Sequence, residues 1–160
     1  MISLTWGMGY NDFISEAWPL IRAHWAEVGS HRDVLRLDPD HDAYRRLETA
    51  GRLHVLTARI DTKLVGYLFA LTIPHARDKS AIVGRNDIMY AAPQYRRYRV
   101  GPKMIEEAMR YLEHDLHVDI ILFGEKMARH AGGNYLKRYG FEPFEVTHAK
   151  VIRKAIEVAA

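Results

Sequence analysis

The chain has 160 residues, 48% of them hydrophobic and 27% charged, the make-up of a globular chain that can bury about 70% of its unfolded surface. It contains no cysteine, which excludes a disulfide framework, a thiol nucleophile and a cysteine-ligated metal. A formal charge of +3 and a pI near 9.2 favour an anionic ligand but fall short of a nucleic-acid binder.

No apolar run approaches the ~20 residues of a membrane span, and "MISLTWGMGYNDF" lacks the layout of a signal peptide. One domain over residues 1–160, in the cytoplasm, is the expectation. "MISLTWGM" reads as a first strand stopped by Gly7 and Gly9. From Asn11 to Val28 the apolar residues Ile14, Ala17, Trp18, Ile21, Trp25 and Val28 recur every three or four positions, which predicts an amphipathic helix. Asp12 suits its cap, Pro19 is placed to kink it and Gly29 ends it. After the loop "LDPDHD", Asp42 suits the cap of a short helix, "AYRRLETAG".

Two β-rich runs follow, Leu53–Ile60 and Leu64–Ile73, joined by Asp61-Thr62-Lys63 as a hairpin. "PHARDKSAIVGRN" reads as a loop, and Asp87–Pro93 as a further strand closed by proline. Met104, Ile105, Ala108, Met109, Leu112 and Leu116 mark a helix over about Pro102 to Leu116, with the proline at a first position where its missing N–H costs nothing. Val118–Gly124 is a buried strand, a third helix begins near Gly132 and stops at Gly140, and "FEPFEVTHAKVI" supplies one or two last strands. The order describes a mixed α/β fold with a β-α-β unit at residues 87–124.

The chemistry concentrates in "PQYRRYRVGPKM" (Pro93–Met104). A turn at a helix N-terminus presents unpaired backbone N–H groups in a positive potential. Arg96, Arg97 and Arg99 add guanidiniums, which suits a pyrophosphate or ribose phosphate better than a carboxylate. A solvated basic turn is the bland alternative.

The segment resembles the acetyl-CoA-binding motif of the GNAT N-acetyltransferases: a strand, a proline, a Tyr-Arg pair, an Arg/Gln-x-x-Gly-x-Gly/Ala turn, then a helix. Pro93, Tyr95 and the run Arg96, Arg97, Tyr98, Arg99, Val100, Gly101 stand at those places. "KLVGYLFAL", "VDIILFG" and "NYLKRYGF" resemble the third strand, fifth strand and closing helix, in the family's order. Two residues depart from it. Arg99 stands where the family has its first glycine, and Pro102 removes a donor worth roughly 1.5–3 kcal/mol to a charged acceptor.

The resemblance implies a mostly antiparallel central sheet of six to seven strands, splayed between the fourth and fifth and flanked by helices. It implies direct transfer of an acetyl group from acetyl-CoA to an amine acceptor, small molecule or protein, without a metal. Pantetheine would add along the backbone at Met89, Tyr90 and Ala91, an edge pairing applied to a ligand. Asp87, at the start of that strand, would be the base, or simply a strand-end residue. A tyrosine of the last helix would protonate the leaving thiolate. Aligned on Gly140-Phe141, that place is Leu136, so neither neighbouring tyrosine inherits the role automatically: Tyr135 beside it is the candidate acid or a wall of the cleft, and Tyr139 a core residue. Asn134 would bond pantetheine or cap the helix, and His130 would face the cleft or stay a loop residue. The nine histidines show no metal-ligand spacing. Homodimers are common in the family, though no apolar stripe demands one here.

Two other readings stay open at this point. One is a module that holds CoA, or nothing, and works through protein contacts. The other is nucleic-acid binding through Arg96, Arg97, Arg99 and Arg110 with Tyr95 and Tyr98 interleaved.

Overall fold

A computed structural model describes residues 1–125 and 136–152. Its centre is a sheet of five strands in the order β1-β2-β3-β4-β5. These are β1 (Ile2–Trp6), β2 (Leu53–Ile60), β3 (Lys63–His75), β4 (Asp78–Ala91) and β5 (Ile120–Leu122). The first four pair antiparallel and β5 joins β4 in parallel. The helices are α1 (Tyr10–Val28), α2 (His41–Thr49) and α3 (Val100–Arg110), the last continued by a wider π turn, Tyr111–Asp115.

Alternation along the strands sends apolar side chains to both faces. One core holds Phe13, Ala17 and Ile21 of α1 against Val55, Tyr67, Phe69 and Tyr90. The other holds Val100, Met104 and Ala108 of α3 against Leu56, Val65, Leu68 and Ala70. Phe13 and Phe69, 0% and 1% exposed, meet edge to face at 4.9 Å; full burial of such a side chain stabilises by about 1.5–3 kcal/mol. Gly66 lets α3 approach β3, because a Cβ there would stand 3.0 Å from Tyr90 O and 3.1 Å from Val100 Cγ1.

Several expectations need correction. Among the described residues the sheet has five strands rather than six to seven. "FEPFEVTHAKVI" forms no strand among the described residues: Phe144 and Ile152 are 77% and 86% exposed, so the segment buries no continuous face. The expected loop at residues 74–86 is instead the outer part of the β3–β4 hairpin, with Pro74 opposite Ile82 and His75 opposite Asp78. Its charged tip hides the pattern. Asp42 is not the α2 cap; the Asp40 side chain accepts from Ala43 N–H at 2.8 Å. Nor does Asp12 cap α1, whose first N–H, on Tyr10, donates to Glu48 Oε1 at 2.7 Å. Asp12 lies in the first turn, where it complements the helix dipole. Pro19 stays inside an unbroken α1, on its exposed side, where the lost N–H bond falls toward water.

Candidate functional site

Among the described residues β4 and β5 share three ladder pairs, Val83–Ile120, Gly84–Ile121 and Arg85–Leu122. Side chains clip both ends of this short ladder. Asp119 Oδ2 accepts from Ile82 N–H at 2.7 Å, and Asn86 Oδ1 accepts from Gly124 N–H at 2.6 Å while its amide donates to Gly124 O at 3.3 Å. Past Asn86 no further β4–β5 pair is formed among the described residues, and there β4 continues to Ala91 paired with β3. Ala92 N–H donates to Val65 O at 2.9 Å. Alternation along an antiparallel ladder then turns the N–H and C=O of Met89 and Ala91 away from β3, onto an open edge.

A β-bulge follows Asn86. Phe69 pairs with Ile88 and Ala70 with Asn86, so Asp87 is the extra residue. Asp87 and Ile88, consecutive in sequence, therefore both face a cavity of about 550 Å³ between the sheet, α1, α2 and the segment joining those helices. Tyr44, on α2, donates its hydroxyl to Asp87 Oδ2 at 2.7 Å. Burial and the neighbouring carboxylate push the Tyr44 phenol well above its ordinary value, so it remains a donor at neutral pH. Tyr10 is pushed up to about 12 by burial and shares a 2.9 Å hydrogen bond with His41 Nδ1. His24 Nδ1 shares one of 2.6 Å with Tyr67 Oη, and its ring stacks on Tyr90 at 4.6 Å.

The open edge runs into the turn before α3. Pro93–Tyr98 form a 3-10 turn, and Arg99 follows at φ 60° and ψ 35° as the residue capping α3. The left-handed conformation explains the glycine of the resembling motif, since a side chain there costs about 1 kcal/mol. Val100 is fully buried under the sheet, so only its backbone faces the turn. Lys103 N–H closes the first helical turn onto Arg99 O at 3.1 Å. A Cβ on Gly101 would meet no atom within 4 Å. The Val100 and Gly101 N–H groups, with Pro102 contributing none, lie in the first turn of α3 at the dipole's positive end, the part of a helix that receives anions.

The arginines divide. Arg96 turns back, donating through Nε to Ala91 O at 2.9 Å and through Nη2 to Glu27 Oε2 at 2.7 Å. Tyr90 Oη donates to the same carboxylate oxygen at 3.0 Å. This network joins α1 to the end of β4. Arg110 pairs with Glu107 and Asp115 at the far end of α3. Arg97 lies over the exposed Tyr98 ring at 4.8 Å; all three arginines of the turn are exposed, and among the described residues only Arg96 is held by a carboxylate.

Asp87 thus lies in the cavity, Met89 and Ala91 on the open edge, and Arg97, Tyr98, Arg99, Val100 and Gly101 at the turn. The Tyr90 backbone faces β3, while its side chain stacks with His24 and bonds Glu27. His130, Asn134 and Tyr135 lie outside the described residues. Sequence reasoning missed Tyr44, Asn86, His24 and Glu27. The i,i+3 spacing of His24 and Glu27 on one helical face is the only signal that marks any of them. Among the described residues no group of three His, Asp or Glu could hold a metal, and no helix is long and apolar enough to cross a membrane.

Over residues 16–141 the sequence matches the family model described as the acetyltransferase (GNAT) family. The chain belongs to that family. Solved structures agree with it in fold. An aminoglycoside acetyltransferase from an uncultured soil metagenomic sample, in complex with sisomicin, superimposes with a TM-score of 0.72 at 14% identity, covering 95% of this chain and 97% of the other. Ribosomal-protein-alanine N-acetyltransferase from Brucella melitensis biovar Abortus 2308 gives 0.63 at 16% identity, covering 96% and 99%. AAC(6')-Iy, in complex with the bisubstrate analogue CoA-S-monomethyl-acetylneamine, gives 0.64 at 16%, also covering 96% and 99%. No curated protein matches the sequence. As a GNAT chain, this protein places its open edge and its α3 turn on adjoining parts of one strand–turn–helix unit.

Proposed function

We propose that this GNAT protein is an N-acetyltransferase, one domain in extent, that moves the acetyl group of acetyl-CoA directly to a primary amine. One observation carries the reading. Among the described residues the β4–β5 ladder stops at Arg85, and the edge so opened leads straight into a helix start with room at Gly101. An amide-bearing chain fits that edge, and a pyrophosphate fits its end. The relative bound to a CoA-containing analogue supports the same reading.

Met89 N–H and C=O, with Ala91 N–H, would bond the pantetheine amides. Val100 and Gly101 N–H, Arg97 and Arg99 would hold the pyrophosphate. Arg96 would act at one remove, fixing Ala91 O and Glu27 so that the edge keeps its course. Acetyl-CoA supplies the activated thioester. In the transfer an N–C bond forms to the acetyl carbon, the C–S bond breaks, and CoA leaves as a thiolate that takes up a proton.

An ammonium cannot attack, so its proton must go first. Asp87 is the candidate acceptor: Tyr44 holds Oδ2, leaving Oδ1 to face the amine in the cavity. Tyr135 is the candidate donor to the thiolate, with Asn134 and His130 nearby in sequence. The chain has no cysteine, hence no thiol to carry the acetyl group between CoA and acceptor, and direct attack is the simpler route. The test is thermal stability with acetyl-CoA, followed by CoA release against a panel of amines. Absence of any thermal shift at millimolar acetyl-CoA would overturn the reading.

A further inference from the structure

The cavity beside Asp87 bears on which amine is taken. Ile14, Trp25, Leu37, Tyr44, Leu47 and Ile88 are half-buried residues on its wall, so part of each side chain faces the space. Its polar groups are few and mostly engaged. Tyr44 Oη is committed to Asp87, Asp40 caps α2 through Ala43 N–H, and His24 Nδ1 is bonded to Tyr67 Oη. Arg36 and Asp38 contribute exposed charges. A polyhydroxylated acceptor entering this space would give up water along an apolar α1–α2 wall, with hydroxyl partners only at Asp87, Asp40 and the exposed Arg36 and Asp38. An aryl or branched apolar body would instead leave water for matching surface. The volume, about 550 Å³, lies within the range of small-molecule sites, and Asp87 at the bulge offers one carboxylate to one ammonium.

We infer that the acceptor is a lipophilic primary amine, an arylalkylamine in chemical class, whose ring lies against the α1–α2 wall while its nitrogen meets Asp87. The inference rests on the acetyltransferase reading above and names the substrate of the same site. It departs from the sisomicin bound by a structural relative, an aminoglycoside acetyltransferase, whose likeness to this chain is one of fold.

Calorimetric titration tests it without turnover. The protein is titrated with 2-(1-naphthyl)ethylamine, ethylamine and kanamycin, with the variants Ala43→Phe, which fills the cavity, and Leu37→Asn, which makes its wall polar from a loop position. The naphthyl amine is expected to bind at least tenfold more tightly than either of the others, and each variant to lose at least tenfold of that affinity with an unchanged urea midpoint. Equal affinity for all three amines, preference for kanamycin, or no binding of any overturns the inference. So does naphthyl-amine binding that both variants leave intact. A thermal shift with acetyl-CoA is read in parallel: naphthyl-amine binding without it supports the cavity assignment and removes the acetyltransferase reading, so the two failures are distinct.

Discussion

Tyr44 and Asp87 meet across the cavity through a 2.7 Å hydrogen bond from the phenol to Oδ2. The bulge that inserts Asp87 into β4 is what turns this carboxylate toward α2. If Asp87 takes the amine's proton, Asp87→Asn lowers kcat by roughly 10²–10⁴-fold, the usual weight of a positioned base. Tyr44→Phe removes only the hydroxyl that holds it and costs less, about tenfold, with KM for acetyl-CoA unchanged. Steady-state kinetics of both variants, with circular dichroism to verify folding, decide the matter. Wild-type kcat in Asp87→Asn would reassign the carboxylate to structure.

Arg99 and Gly101 make opposite predictions. Arg99 has φ 60°, so Arg99→Gly relieves about 1 kcal/mol of backbone strain, offset in part by the freer unfolded chain. The melting temperature should hold or rise by a few degrees, and acetyl-CoA affinity should stay within a fewfold, because the closer backbone approach that a glycine allows offsets the lost guanidinium. Gly101→Leu places atoms in a space that no residue occupies within 4 Å. Folding is therefore expected to survive while acetyl-CoA binding is lost. Calorimetry on the two variants measures this; tight binding by Gly101→Leu would show that the phosphates lie elsewhere.

Legibility followed local chemistry. The α1 stripe and the Asp61-Thr62 hairpin were readable because period and turn residues are local signals. So was the Arg96–Gly101 turn, where composition and position before a helix agree. Pro74, Arg77, Asp78 and Lys79 disguised the outer β3–β4 hairpin, since this arm beyond the β5 pairing has little core to face. Asp42 reads as the cap in sequence, and only the reach of the Asp40 side chain to Ala43 N–H shows that the helix starts earlier. The bulge at Asp87, and with it the partnership with Tyr44, depends on the register between two strands and leaves no mark in either one.

Gly66 carries a prediction about the sheet–helix contact. A Cβ there would stand 3.0 Å from Tyr90 O, 3.1 Å from Val100 Cγ1 and 3.2 Å from Met104 Cε. The first neighbour is backbone and cannot rotate aside. Gly66→Ala should therefore destabilise by about 1–3 kcal/mol, as overpacking does. At roughly 2–4 °C per kcal/mol for a chain of this size, the fall in melting temperature is readily measured. An unchanged midpoint would mean that α3 can shift away from β3 without loss.

His54 predicts how stability depends on pH. Its imidazole bonds Thr72 Oγ1 at 3.2 Å and meets the Tyr111 ring edge to face at 5.7 Å. Burial holds its proton affinity below the ordinary value of 6.5. The unfolded chain therefore binds that proton more readily than the folded one, and stability rises with pH through the region where only the unfolded state is protonated. The contribution is complete above about 6.5 and is lost as pH falls below it. Glu16 and Glu107, held below their ordinary 4.5 by hydrogen bonds from Arg59 and Arg110, lose theirs only in more acidic solution. A comparison at pH 7.5 and 5.5 thus separates the histidine from the carboxylates. His54→Gln, which can keep a bond to Thr72 without titrating, should flatten the difference in urea-unfolding free energy between those two pH values. An equal acid loss in His54→Gln and the parent chain would assign the effect to another group.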